Sequence, residues 1–341
     1  MTQTSMRALV LDKPGSLTTR AIEVPSPQNA DVLVRVKAAT TCGTDLKAYL
    51  RGHPQIPMPG VFGHEYSGVI EAVGSESKWK VGDAVMGVHS APCGTCYWCK
   101  KDQENLCETI MSSKVLGSFA EFLLIPGRIA NKNLYEKPES LSFAAASLLE
   151  PFACVAQGLT ELARSRKLDP NGDYLVLGPG AIGLMFVAAL RLRGCTNVTL
   201  AGRNPARLAI GERLGARAVL WQDIKLQHSR GFDAVIECVG IPSVWERSID
   251  YVRRGGLLML FGGCPSGSEV TFDTSRLHYD QVSLLSPFHF GTDAVKRARE
   301  WLLDPRIDFS DLISGSRTLE EGAEVFECLK RGEGIKYVFI P

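Results

Sequence analysis

Tyr174-Leu-Val-Leu-Gly178-Pro-Gly180-Ala-Ile-Gly183-Leu-Met-Phe-Val-Ala-Ala-Leu190 decides how this chain is read. A short apolar run meets three glycines at G-x-G-x-x-G spacing. A helical pattern then runs from Ala181 to Arg193. Alone the motif is weak; between a strand and a helix it gains meaning. Gly178 permits the tight turn, Gly180 lets the backbone approach a pyrophosphate, and Gly183 lets the helix lie close to the strand. The helix start at Ala181 and Ile182 offers free N–H groups and a partial positive charge. The alternative, a glycine-rich turn with no ligand, does not explain why the motif sits in this setting. The stretch is also the longest uncharged run. It falls short of the roughly 18 apolar residues of a membrane span, and its glycines and proline break it into strand, turn and helix.

Downstream the alternation continues. Val198–Ala201 reads as a strand, Pro205–Leu214 as a helix ending near Gly215, and Asp233–Val239 and Leu257–Phe261 as further strands. Such βαβ alternation predicts an α/β doubly wound parallel sheet with helices on both faces. Gly262 and Gly263, after the last of these strands, either lie near a nicotinamide or form an ordinary turn. Past Gly291 stand one helix, Ala294–Leu303, and a final strand, Lys336–Ile340. Upstream, the first 150 residues are β-rich: Val32–Val36 alternates, Tyr66–Val73 reads as a strand, and Gly60, Gly63, Gly68 and Gly74 punctuate.

The 341 residues allow two domains, at roughly 150 residues each. A composition of 45% apolar and 22% charged residues with a net charge of +1 is that of a soluble globular chain. It sets up no field for nucleic acid or an anionic membrane. Met1–Val10 lacks the pattern of a signal peptide, so a cytoplasmic protein is expected. Ten cysteines are then not a disulfide framework. Cys154, Cys195, Cys238, Cys264 and Cys328 mostly have apolar neighbours and are expected as small core residues.

The second strand of the dinucleotide unit ends Thr199-Leu-Ala-Gly202-Arg203-Asn204. An NAD site usually has a carboxylate there for the ribose hydroxyls. Here Arg203 stands in its place and Arg207 follows one helical turn on, so NADP(H) is expected over NAD(H). The alternative is a pair of solvated arginines.

Cys93-x2-Cys96-x2-Cys99-x7-Cys107 offers four thiolates in a short loop, the set for one closed, structural zinc. An iron–sulfur cluster is the competitor, and the nicotinamide fold favours zinc. A second set is scattered: Cys42-Gly-Thr44-Asp45, Gly63-His64-Glu65 and Leu149-Glu150-Pro151. One sulfur, one nitrogen and one or two oxygens suit a catalytic zinc with an open position. Asp45 can hold the second ring nitrogen of His64. Two zinc ions per chain follow.

In that order, with Gly82-Asp83-Ala84-Val85, these motifs resemble the zinc-containing medium-chain dehydrogenases, above all the sorbitol (polyol) and threonine dehydrogenase branch. The resemblance covers the chain from about residue 6 to its end. It implies a GroES-like, partly open β-barrel catalytic domain over residues 1–152, with the structural-zinc lobe at about 90–110. A Rossmann domain over 153–290 and a return to the catalytic domain over 291–341 complete it. It implies that Cys42, His64 and Glu150 bind zinc. Glu65 matches a residue that binds the metal directly in some members and lies just outside its ligands in others. Thr44 matches the hydroxyl that relays the alcohol proton. The relay residue three further on is a histidine in many relatives and Lys47 here. In the segment Pro287-Phe-His289-Phe290, sorbitol-type relatives often carry Arg where this chain has His289, which argues against sorbitol itself.

The expected reaction is hydride transfer between a polar secondary alcohol (polyol, sugar or diol) and NAD(P), carried out by a homodimer or homotetramer on a small-molecule substrate. A zinc-free NADPH-dependent quinone or enone reductase would need none of Cys42, His64 and Glu150. A non-catalytic nucleotide-binding protein on the same fold would show erosion of the ligands or of Thr44. Neither pattern is present.

Overall fold

Val32–Thr40 is buried along almost its whole length, and a strand covered on both faces must have neighbours on both edges. In the computed structural model, which describes residues 4–165, 168–224 and 230–341, it has them. It pairs antiparallel with Glu65–Val73, with Phe122–Ile125 and with the final strand Lys336–Phe339. The sequence places the strand end at Val36. The structure carries it to Thr40, because Thr40 stands opposite both Glu65 and Val338. Among the described residues this sheet has seven strands, and a smaller one of three is built on Ser5–Lys13. Phe62, Phe119, Phe326 and Phe339 fill the core between them. The Phe119 ring stands edge-on to those of Phe62 and Phe339, with centroids 5.1 and 4.8 Å apart.

These elements belong to one of two units: Met1–Ala153 with Phe290–Leu303 and Asp308–Pro341. The other unit is Cys154–His289 with Asp304–Ile307. The helix Leu149–Ser165 contains the division between them. Phe143–Ser165 is long and apolar enough to cross a membrane by composition, yet 72% of its apolar window is buried inside the protein. Its apolar face therefore serves a core.

The second unit holds a six-stranded sheet, all parallel. Its order is Arg217–Leu220, Asn197–Gly202, Asp173–Leu177, Phe232–Glu237, Val252–Leu260, Ser283–Leu285. The chain winds outward one way from Asp173–Leu177 and then the other way from Phe232–Glu237. A crevice opens at that reversal, at the carboxyl ends of the strands. The helix Ala181–Leu192 is buried from Gly183 to Leu190. It lies so close to the preceding turn that a Cβ on Gly183 would sit 2.0 Å from the Gly178 carbonyl oxygen. Gly178 itself has φ +103°, a region L side chains avoid.

One expectation fails. Of the five cysteines read as core residues, Cys195 is buried and Cys328, though partly exposed, packs against the core; Cys154, Cys238 and Cys264 are partly exposed. Apolar sequence neighbours do not fix which way a side chain faces on a helix or at a strand end, and Cys328 lies on the amphipathic helix Gly322–Lys330.

Gly183→Ala is expected to destabilise the second unit by roughly 1–3 kcal/mol through overpacking, and to weaken dinucleotide binding. Thermal denaturation with and without cofactor measures both. Unchanged melting would contradict this account of the strand–helix approach.

Candidate active site

Cys42 precedes the helix Gly43–Arg51 and caps it. Its sulfur accepts the Thr44 N–H at 3.5 Å, and its own N–H donates to Asp45 Oδ2 at 2.9 Å. Gly63, with φ +88°, admits His64 to the interior: a Cβ at 63 would lie 2.6 Å from Ser118 Oγ and 2.8 Å from the Phe119 ring. Glu65 then opens its strand opposite Thr40.

Cys42, His64 and Glu65 converge, with their potential ligand atoms all within 4.8 Å of one another. Asp45 Oδ1 stands 3.4 Å from His64 Nδ1, which leaves Nε2 as the free ring nitrogen for a metal. Glu150 does not join this trio but faces it, with Oε2 4.0 Å from His64 Nε2. One sulfur, one imidazole nitrogen and one carboxylate, nearly dry and with a second carboxylate alongside, fit an open zinc site. Burial alone would make His64 harder to protonate; Asp45 and the Cys42 sulfur more than reverse that and raise it.

Glu65 is completely buried. Lys336 Nζ donates to both its oxygens, at 2.6 and 2.5 Å, and to the Thr41 carbonyl at 2.7 Å. The Thr40 hydroxyl donates to it as well. Burial pushes the Glu65 carboxyl up to about 7, against the pull of Lys336. His89 packs edge-on against His64, with ring centroids 5.0 Å apart, and its Nδ1 is 3.3 Å from Glu150 Oε1. Burial first, then the charges of His64 and Lys114, keep it less basic than an ordinary histidine despite Glu150. Lys336, Thr40 and His89 were not legible as site residues. Lys336 lies 271 residues from its partner, and no local pattern marks it.

The four-cysteine lobe also converges within 4.8 Å. Cys93 and Cys99 sulfurs are 3.9 Å apart and Cys96 and Cys99 3.5 Å. Tetrahedral zinc with bonds of roughly 2.3 Å requires sulfurs about 3.8 Å apart, so the set fits. The Thr95 hydroxyl and the amides of Thr95 and Cys96 draw Cys93 down to about 5, while burial pushes Cys99 up to about 12. The lobe is tied down by Glu104, whose Oε2 accepts the Thr292 N–H at 2.8 Å.

In the second unit a cleft of about 300 Å³ is lined by Gly178, Gly180, Gly202, Arg203 and Arg207, together with Trp221, which the sequence did not single out. Ala181 and Ile182 begin the helix beside it. Gly183 and Gly262 do not line it. A Cβ on Gly262 would lie 2.3 Å from the Gly240 amide, so that glycine serves turn-to-turn packing. A Cβ on Gly202 would lie 2.3 Å from Pro179 Cδ. The glycine is required by packing before it leaves room for any phosphate. His289 belongs to this unit, at φ +58°.

Residues 28–138 match the alcohol dehydrogenase GroES-like domain, and residues 181–304 the zinc-binding dehydrogenase domain. The chain is 29% identical to sorbitol dehydrogenase of Bacillus subtilis, over 95% of this chain and 93% of that one. It is 31% identical to D-altritol 5-dehydrogenase of Agrobacterium fabrum, over 82% and 83%. A Sinorhizobium meliloti protein assigned as a zinc-binding dehydrogenase and solved with NADP bound superposes with a TM-score of 0.87 at 27% identity, covering 99% of this chain and all of that one.

Lys336→Met should cost about 3–5 kcal/mol, since it strands a buried carboxylate. The double variant Lys336→Met/Glu65→Gln should recover much of the loss. Chemical denaturation decides; a Lys336→Met protein as stable as the parent would show that the pair does not matter.

Proposed function

The chain belongs to the zinc-containing medium-chain dehydrogenase family, in its polyol and threonine dehydrogenase-like branch, and on that premise we propose that it oxidises a polar secondary alcohol with NADP in preference to NAD. The observation that carries this reading is the convergence of Cys42, His64 and Glu65, with Glu150 4.0 Å from His64. Ethanol-type relatives commonly place a second cysteine where Glu150 stands. Two carboxylates make a harder, more polar site, able to bond hydroxyls that flank the reacting carbon. Leaving such buried acceptors unpaired costs about 1–3 kcal/mol each, which disfavours simple aliphatic alcohols.

Cys42, His64 and Glu65 hold the catalytic zinc, with Glu150 as its further carboxylate, and the four lobe cysteines hold a structural one. Bound zinc supplies Lewis acidity at the alcohol oxygen, and the nicotinamide supplies the hydride acceptor. The residues of the chain do the rest. Asp45 fixes the tautomer of His64. The Thr44 hydroxyl accepts the substrate's hydroxyl proton and passes it outward, with Lys47, one turn along the same helix, at the far end. Arg203 and Arg207 line the dinucleotide cleft where an NAD enzyme carries an acid. Each charge-assisted contact to a 2′-phosphate is worth roughly 1.5–3 kcal/mol, so one or two give a tenfold to thousandfold preference. Of the similar proteins of known structure, one was solved with NADP and another with NADH, so the preference rests on Arg203 and Arg207.

The test is a panel of 2,3-butanediol, pentitols, hexitols, inositols, aldoses, L-threonine and 2-butanol, run with both cofactors. Vicinal diols or sugars with NADP should be most efficient, and activity should vanish on chelation and return with zinc. Arg203→Leu/Arg207→Leu should shift preference towards NAD; a Gly202→Asp change would clash with Pro179 and is unsuitable. Highest efficiency on 2-butanol, or with NAD, overturns the corresponding half of the reading.

A further inference from the structure

The helix Thr292–Leu302 begins at Gly291, a residue with no side chain to cap it. Its first amide is taken instead by the four-cysteine lobe: Glu104 Oε2 accepts the Thr292 N–H at 2.8 Å, from 188 positions away. A carboxylate there satisfies a donor that the helix leaves unpaired and meets the positive end of its dipole. The approach is close. A Cβ on Gly291 would lie 3.1 Å from Glu104 Cβ and 3.4 Å from Glu104 Oε2. Glu104 stands in the turn Glu104–Leu106, between Cys99 and Cys107, so two of the four lobe sulfurs bracket it along the chain.

The residue before Gly291 reaches the donor set. Phe290 is fully buried, and its ring stands edge-on to that of His89, with centroids 5.7 Å apart at 88°. His89 packs in turn on His64, and its Nδ1 is 3.3 Å from Glu150 Oε1. Glu150 thus shows one oxygen to His89 and the other to His64, 4.0 Å from its Nε2. His89 is held from a second side too. Its carbonyl accepts the Val115 N–H at 2.7 Å, and it lies four residues before Cys93. All of these residues belong to one unit.

Resting on the dehydrogenase reading above, we propose that Glu104 is a positioning residue: by holding Thr292 to the four-cysteine lobe it keeps the Phe290 ring against His89, and so aims Glu150 at the metal held by Cys42, His64 and Glu65. Metal in the lobe keeps Glu104 in place, because metal binding and local folding are one process in such a loop. Close-packed rings transmit that order, since a packed interior passes on strain rather than absorbing it. Groups just outside the ligands commonly change metal affinity tenfold or more. The lobe therefore serves the chemistry as well as the fold.

Cobalt(II) absorbs differently at a one-sulfur and a four-sulfur site, so the two sites are read apart in the full chain. With the lobe filled, Glu104→Leu should weaken cobalt binding at Cys42, His64 and Glu65 about tenfold. It should also shift the spectrum of that site, and lower kcat more than it raises KM for NADP(H). Glu104→Gln keeps an acceptor for Thr292 and should restore most of these properties. Unchanged affinity and spectrum in Glu104→Leu would overturn the proposal, and so would a Glu104→Gln protein impaired as much. If Glu104→Leu does not fold, Phe290→Leu, which leaves the lobe's bond to Thr292 in place, decides in the same way. In the parent, amide hydrogen exchange over residues 290–294 should slow when metal fills the lobe alone. Exchange indifferent to the lobe's metal would overturn the link as well. Cobalt taken up by the lobe and never by Cys42, His64 and Glu65 would overturn the metal reading of those residues, and this proposal with it; the other outcomes leave that reading standing.

Discussion

Lys336 and Glu65 meet in the interior, both buried, and the catalytic half of the molecule is arranged about that pair. A lone carboxylate in such a place would carry a desolvation penalty of several kcal/mol. The Lys336 ammonium and the Thr40 hydroxyl offset it. The pair also fixes the chain end. Lys336 opens the last strand, whose neighbour Tyr337 exchanges hydrogen bonds with Thr41: Thr41 N to the Tyr337 carbonyl at 2.9 Å and Tyr337 N to Thr41 Oγ1 at 3.0 Å. Thr41 immediately precedes Cys42. One ion pair thus sets the end of Val32–Thr40, the start of Glu65–Val73 and the return of the final strand, and between them these place Cys42, His64 and Glu65.

The rest of the site has the same logic of charge held out of water. Asp45 is fully buried yet has the Cys42 amide and the His64 ring. Glu150 has two histidines before it. A metal ion binding among these groups takes up negative charge that the fold has already made tolerable, so little rearrangement is required. The dinucleotide cleft rests on a different constraint, the absence of side chains. Gly183 and Gly202 are set by contacts of 2.0 and 2.3 Å that no Cβ could survive. The donors lie in one unit and the dinucleotide cleft in the other.

Legibility in the sequence follows the range of the interactions. The Gly178–Gly183 turn and the Cys93–Cys107 lobe are local, so spacing alone reveals them. Cys42, His64 and Glu150 become visible as a set only because separated motifs occur in a familiar order. Lys336 and His89 escape altogether: each acts through partners distant in sequence, and a lysine opening an apolar strand looks like a strand end. Cys154, Cys238 and Cys264, partly exposed, show the converse: hydrophobic company along the chain does not decide which way a side chain faces.

The account stands or falls on where metal binds. Anomalous scattering at the zinc edge, from crystals of fully active enzyme grown without chelators, is the most direct measurement. Two peaks per chain are expected: one bounded by Cys42 Sγ, His64 Nε2 and the Glu65 or Glu150 carboxylate, the other at the centre of the Cys93, Cys96, Cys99 and Cys107 sulfurs. Active crystals with no peak at the first position would contradict it.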